Sequence, residues 1–372
     1  MPEDGAPRTL SAPIAPRGSP IRRPLTLPAL LLLLVLAVHG RDLANGFTYD
    51  DHKIVVRNPV VRTLDPAPHF SRAFWANRND VFDFYRPVVT YSFALNRALL
   101  GDGPLGFHLV NLLLHAGCAV LLFRVVRRMA SVEVAFSAAA IFAVHPVQCE
   151  SVAWISGRTD LLATFFVLLA TSLHLTLPDR PGPRDLVRLI ASLAAVAAAL
   201  LSKESALVIP AFPIAADLAI VRARGGSWMD ALAASRRRLV RFGPAYAAVI
   251  GAYLAARVAV VDRWAPESPL GELYAMNPLL SEHAAVRLLT AVKVAAKSLS
   301  LIVFPVRLSA NYAYDAIPLV RTALDPSFLV AAAAVAAAVA LAVAAARRSP
   351  AAAFGVLSAA ANSVGANLAG VL

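Results

Sequence analysis

Residues 24–38, PLTLPALLLLLVLAV, run through His39-Gly40-Arg41-Asp42-Leu43-Ala44 into Asn45-Gly46-Phe47-Thr48-Tyr49-Asp50-Asp51-His52-Lys53. The first part carries no charged side chain and can enter a bilayer as a helix, which satisfies its own backbone groups in lipid. The second part is polar and sets two adjacent carboxylates just beyond that helix. Together they predict a helical membrane protein with ionisable chemistry at headgroup depth. A membrane enzyme working on a lipid-linked substrate needs an acid/base or metal-binding group there. The rest of the chain reads as scaffold and accessory chemistry around Asp50-Asp51.

The whole composition agrees. Of 372 residues, 58% are hydrophobic and 16% charged, with a mean hydropathy of +0.64. That is too apolar and too charge-poor for an ordinary soluble domain. The net charge of +12 reports topology first, through Lys and Arg on the cytoplasmic side. No basic stretch is interleaved with stacking aromatics, which argues against a nucleic-acid partner. The two cysteines, Cys118 and Cys149, lie in or at the end of apolar runs and make no disulfide framework.

Residues 1–23 are Pro-rich, with Arg8, Arg17, Arg22 and Arg23, and read as a disordered cytoplasmic tail. The transmembrane domain is expected over 24–348, starting with a retained anchor at 24–38 whose far end lies outside. A polar external loop, about 39–104, follows, with two short interfacial helices at His52–Val60 and Val88–Leu100. Apolar runs at 105–123, 132–147, 161–177, 189–201, 206–221, 243–261 and 326–346 are separated by loops whose charges agree with alternating crossings. The most basic loop carries Arg222, Arg224, Arg236, Arg237, Arg238 and Arg241. Parity keeps 262–325 outside as a second large loop, with an amphipathic or re-entrant helix near Leu299–Phe304. Residues 349–372 are Gly/Ala/Asn-rich and hold at most one more span. The expectation is an all-α polytopic membrane protein of about nine spans, without a soluble domain or a repeat period.

Several constellations carry chemistry, each with two readings. Neighbouring carboxylates repel, so Asp50-Asp51 suits a general base, or a base beside a divalent ion; the alternative is a solvated turn cap. Arg86, in Tyr85-Arg86-Pro87, is placed to fork onto a phosphate; the alternative is snorkelling or an ion pair with Asp83. His108, Asn111 and His115 fall on one helix face and mark either a functional interior or, for His115 above all, an interhelical hydrogen bond. One short loop gathers His145, Glu150, Arg158 and Asp160 beside Trp154. There Asp160 is also a candidate helix cap, and Arg158 a candidate ion-pair partner of Glu150 or Asp160. Lys203-Glu204, in a tight turn, is either an interfacial ion pair or a cation aimed at a lipid phosphate.

In chain order, these segments resemble a known family. They are Phe47-Thr48-Tyr49-Asp50-Asp51, Tyr85-Arg86-Pro87, Gly106-Phe107-His108-Leu109-Val110-Asn111-Leu112-Leu113-Leu114-His115, the His145–Asp160 loop and Ser202-Lys203-Glu204, with Phe304-Pro305-Val306-Arg307-Leu308-Ser309-Ala310-Asn311-Tyr312 further on. The resemblance is to the membrane half of the transmembrane and tetratricopeptide-repeat (TMTC) proteins and their bacterial relatives, itself similar to the GT-C glycosyltransferases, including protein O-mannosyltransferases. It covers roughly residues 40–325. It implies a GT-C-like bundle and a polyprenyl-phosphate sugar donor, classically dolichyl-phosphate mannose. It further implies a Ser/Thr hydroxyl of a protein as acceptor and transfer with inversion. By that resemblance Asp50 or Asp51 is the base. Arg86, Arg158 and Lys203 meet the donor phosphate, with Lys293 and Lys297 as weaker candidates, and His108, Asn111, His145, Glu150, Asp160 and Glu204 give support. A divalent cation, Mg or Mn, at Asp51 is the one cofactor considered; no organic cofactor is implied.

The family's tetratricopeptide (TPR) repeats are not found in the chain, and its last spans are missing or unrecognisable beyond about residue 350, which suggests a truncated or frame-shifted form that either lacks acceptor recognition or needs a TPR-bearing partner for it. The competing expectation is a non-catalytic membrane protein, a transporter, flippase or inactive scaffold. A transporter places its ionisable groups at mid-membrane, whereas here most sit at span ends, beside membrane lipid headgroups. The Ala/Arg-rich composition points to a bacterial plasma membrane.

Overall fold

The computed structural model describes residues 26–74, 84–179, 182–264, 279, 282–306, 308–309, 316–356 and 358. The expected tail 1–23, Asp83, Arg307, the segment 310–312 and most of 349–372 lie outside the described residues. Among the described residues every regular element is helical. α1 is Thr26–His39, α2 Pro66–Ser71, α3 Pro87–Leu100, α4 Pro104–Val126, α5 Val132–Val144 and α6 Cys149–Ala153. α7 is Arg158–His174, α8 Pro183–Leu200, α9 Ala211–Ala223, α10 Trp228–Trp264, α11 Ala284–Val303 and α12 Pro326–Arg348. The chain is an all-α, multi-pass integral membrane protein.

Among the described residues five helices are long and apolar enough to cross a membrane: Thr26–Ala44, Pro104–Val126, Glu204–Ala223, Trp228–Val261 and Pro326–Arg348. A sixth arises if Val132–Val144 and Pro146–Ala153, bent by 50°, count as one. The expected number of about nine is not reached by that measure. α7, at 17 residues, is short, and α8 opens on Arg184, Asp185 and Arg188. α11 is also more than the short patch expected at Leu299–Phe304. It has 20 residues, which is roughly 30 Å of helix. Val286 and Thr290 are its buried positions, and Arg287, Lys293 and Lys297 keep it from reading as uniformly apolar.

The stretch between α1 and α4 folds as local physics requires. His52–Val60 was expected as one helix, but a wide π-helical turn over His52–Val56 ends at Arg57, and a separate 3-10 turn covers Pro59–Arg62. Pro59 has no N–H to continue the ladder and pushes Asn58 out of the helical region. Asn58 then caps the second turn, its Oδ1 accepting from Val60 N at 2.9 Å. α3 starts with Pro87 in its first turn and stops at Gly101, whose φ of 83° ends the helix at low cost.

The Arg-rich end departs from expectation. Most of the basic loop is helix, since α10 begins at Trp228. Ser227 and Asp230 cap it reciprocally, Ser227 N donating to Asp230 Oδ2 at 2.8 Å and Asp230 N to Ser227 Oγ at 3.1 Å. Arg238 therefore sits on α10, 4% exposed. Its Nε donates to Asp217 Oδ2 on α9 at 3.0 Å. Nη1 reaches Leu177 O and Asp179 Oδ1, and Nη2 reaches His174 O at 2.8 Å. His174 Nδ1 meets Tyr246 Oη at 3.0 Å, and Tyr246 Oη meets Ser192 Oγ on α8 at 2.8 Å. One connected polar network thus joins α7, α8, α9 and α10.

Candidate active site

The motif residues gather at the opposite end, in a cap made from the α1–α4 stretch, the α5–α7 connection and the α8–α9 turn. The cap is built around Asp51, which is completely buried. Asp51 Oδ1 accepts from Ser156 N at 2.9 Å and Ser156 Oγ at 2.6 Å, and Oδ2 accepts from Thr48 N at 3.0 Å. One carboxylate therefore pins the first loop to the turn before α7. That turn is tight: a Cβ on Gly157 would lie 2.6 Å from Ser151 O, so only glycine fits.

The two carboxylates part company at Tyr49. Its φ of 48° is the one positive value of a non-glycine residue among the described residues, a strained conformation of the kind that collects at functional sites. Asp51 turns inward and Asp50 stays half-buried. Tyr49 is 71% exposed, and its ring centroid is 6.3 Å from that of Trp154, so an aromatic pair stands beside Asp50.

Arg158 is likewise completely buried. It was expected to pair with Glu150 or Asp160, or to meet a phosphate; instead its hydrogen-bond acceptors are all neutral. Nε donates to Asn111 Oδ1 at 2.8 Å. Nη2 donates to Asn96 Oδ1 and Phe107 O, both at 2.8 Å. The guanidinium carbon lies 4.7 Å from the centre of the Phe93 ring. Asn111 Nδ2 donates onward to Trp154 O at 3.0 Å. Arg158 and Asn111 thus hold α3, α4 and the turn before α7 together.

The cations nearer the surface belong to two ion pairs. Arg86 forks onto Glu204, with Nη2–Oε2 at 2.8 Å and Nε within 3.3 Å of both oxygens. It also lies 4.0 Å from the centre of the Phe84 ring. Its carboxylate partner is thus in the α8–α9 turn. Lys203 Nζ pairs with Asp160 Oδ1, and these side chains are 30% and 47% exposed. Asp160 is the third residue of α7, not its cap, because the helix starts at Arg158. Desolvation, then the Asp160 charge, raise the Glu150 carboxyl above its usual range, and Lys203 works against them.

The histidines divide by depth. His108 is 2% exposed beneath the Asn45–Gly46 backbone, near Asp51 and Asp42, with neither ring nitrogen in a well-formed hydrogen bond. His115 Nε2 donates to Ala143 O at 3.1 Å, the interhelical bond expected of it. His145 Nδ1 accepts from Val147 N at 3.2 Å. Nε2 therefore carries the proton and donates to Ile302 O of α11 at 2.8 Å, a tie from the cap to α11.

Three donors already point at the Asp51 oxygens, and among the described residues no group of three His, Cys, Asp or Glu gathers where an ion could sit. The arrangement does not fit a resident Mg or Mn ion at Asp51. Both cysteines are free. Asn96, Ser156 and Thr48 were missed as parts of the cap. Asn96 had a legible signal: it shares the buried face of α3 with Val89 and Phe93, where an amide needs a partner.

A family profile described as dolichyl-phosphate-mannose-protein mannosyltransferase matches residues 86–256. A second, described as protein O-mannosyl-transferase TMTC, DUF1736, matches residues 275–339. Protein O-mannosyl-transferase Tmtc2 of Drosophila melanogaster is 33% identical over 306 residues, 78% of this chain and 31% of that protein. Protein O-mannosyl-transferase F38B6.6 of Caenorhabditis elegans is 37% identical over 166 residues, 42% of this chain and 24% of its own length. Protein O-mannosyl-transferase TMTC1 of Homo sapiens is 36% identical over 154 residues, 40% of this chain and 18% of that protein. The chain thus spans well under half the length of these relatives. They are animal proteins and lend no support to the expected bacterial plasma membrane. No solved structure matches the chain. With the two profiles matching successive segments and the relatives in agreement, the chain belongs to the TMTC family, within the GT-C-like superfamily.

Proposed function

We propose that the cap lies at the external membrane face and transfers a sugar, mannose, from a polyprenyl-phosphate carrier to a Ser/Thr hydroxyl of a protein, with inversion at the anomeric carbon. The observation that carries this is the division of the carboxylate pair. Asp51 is spent on three structural hydrogen bonds, while Asp50 stays half-buried at the cap surface. Asp50 is the base. It takes the proton of the acceptor hydroxyl as that oxygen bonds to the anomeric carbon, and the bond from that carbon to the lipid phosphate oxygen breaks, its electron pair leaving with the phosphate. Lys203, partly exposed, meets the charge that develops on the leaving phosphate. Arg86 is held ready by Glu204, and Asp51, Arg158 and Asn111 fix the frame. No step runs through a metal ion. Presentation of the protein acceptor falls to a TPR-bearing segment or partner.

The test is transfer of radiolabelled mannose from dolichyl-phosphate mannose to membrane protein, using membranes that carry the chain alone or with a TPR-bearing partner. At equal expression Asp50→Asn is expected to lose about 10²–10⁴-fold in rate, the share of a general base. Labelling by Asp50→Asn equal to wild type overturns the assignment of the base. No labelling under any of these conditions overturns the transferase itself.

A further inference from the structure

α10 rises beside the Lys203-Glu204 turn, and two of its residues stand apart from the motifs above. Tyr253 is 4% exposed and packs in one apolar cluster with Tyr85, Leu200 and Val260, its ring centroid 6.4 Å from that of Tyr85. The two phenols differ in one respect. Tyr85 Oη donates to Phe70 O at 3.0 Å, whereas Tyr253 Oη is buried with no hydrogen-bond partner among the described residues. A buried hydroxyl left unmatched is costly, and each such group in a native fold calls for an explanation. The charged side chains that this hydroxyl senses are Glu204, Arg257 and Arg86. Glu204 is already neutralised by the Arg86 fork. Arg257 lies one helical turn beyond Tyr253, on the same face, and is half-buried.

An unmatched O–H donor beside a guanidinium, next to a carboxylate already neutralised, suits a tetrahedral oxyanion: the phenol gives one directed hydrogen bond and the arginine gives charge. We infer that Tyr253 and Arg257 form the subsite that takes the phosphate of a polyprenyl-phosphate lipid. This rests on the donor-site reading of the cap and extends it to α10. The subsite explains why the Arg86–Glu204 pair is built so close by: it holds Glu204 away from repelling the incoming phosphate.

Binding of a fluorescent polyprenyl phosphate to the purified full chain in nanodiscs tests this without requiring turnover. Arg257→Gln is expected to weaken binding about tenfold or more, Tyr253→Phe about fivefold, and Arg257→Lys less than Arg257→Gln, as fits loss of a charge-assisted and a neutral hydrogen bond. Tyr253→Phe should leave the thermal unfolding midpoint unchanged or raised, since the lost hydroxyl has no partner in the fold. Unchanged affinity in both Tyr253→Phe and Arg257→Gln overturns the inference, as does a Tyr253→Phe variant that unfolds earlier yet binds normally. Equal displacement of the probe by phosphatidylglycerol or by inorganic phosphate overturns it too, since the site then reads any phosphate. Correct binding behaviour in a chain that transfers no mannose sustains the subsite while sinking the transferase reading; transfer with donor affinity untouched by these variants does the reverse.

Discussion

Arg158 in the cap and Arg238 at the Arg-rich end are both buried, 0% and 4% exposed, yet they are solvated by different chemistry. Arg238 is matched by the carboxylates of Asp217 and Asp179 and by two backbone carbonyls. Arg158 is met by two amide oxygens and backbone carbonyls alone, with the Phe93 face alongside. The first arrangement cancels charge and locks four helices. The second leaves a positive charge inside the cap, under the loops that carry Asp50 and Lys203. Buried arginines in one bundle thus do two jobs: one closes ion pairs, the other gathers neutral acceptors from neighbouring helices.

Breaking each in turn sharpens that contrast. The largest effect is expected from Arg238→Met, which takes the arginine from buried Asp217 and leaves it His174 Nε2 at 3.4 Å; thermal unfolding in detergent should show a loss of about 3–5 kcal/mol, most of it restored in the double variant Arg238→Met with Asp217→Leu. Arg158→Met should cost less, about 3 kcal/mol, because the acceptors lose their donor but no carboxylate is left uncompensated. If Arg158→Met proves the more damaging, the contrast fails. Next comes Asp51→Asn, expected to cost about 2 kcal/mol through its charge-assisted bonds to Ser156 and Thr48, against a change within about 0.5 kcal/mol for Asp50→Asn. Equal costs would mean that both carboxylates are structural.

The smallest effect is a pH dependence at Glu150. Its carboxyl is raised in the folded protein by desolvation and then by Asp160, with Lys203 opposing. A raised carboxyl pKa means that the folded chain holds the proton more tightly than the unfolded one. Glu150 therefore costs nothing at acid pH, and its cost sets in as pH climbs past the unfolded carboxylate value and grows until the folded value is passed. Glu150→Gln should be slightly more heat-stable than wild type at neutral pH and equal to it at acid pH. The gap should widen in a Lys203→Met background, because the opposing cation is gone.

Much of the fold was legible. Composition and the run 24–38 predicted a polytopic helical membrane protein, and the short helix Val88–Leu100 appears one residue longer, as α3. What misled was local. Arg236, Arg237 and Arg238 looked like loop because charge is dear in lipid, but on α10 Arg238 finds its partners on two other elements. The π-helical turn at His52–Val56 and the break at Pro59 are invisible to simple periodicity. In the candidate site, the order of motifs named the residues that the fold gathers into one cap, and their contacts came from partners distant in sequence.

That ionisable residues cluster where apolar segments end can be read from the amino-acid order alone, since hydrophobicity and charge are properties of a segment and need no neighbour to be read. Which partners those residues meet is visible only once the chain has folded. Asp51 meets Ser156, Arg158 meets Asn96 and Asn111, and Arg86 meets Glu204. The availability of a charged group depends on hydrogen-bond partners that the chain brings together only by folding.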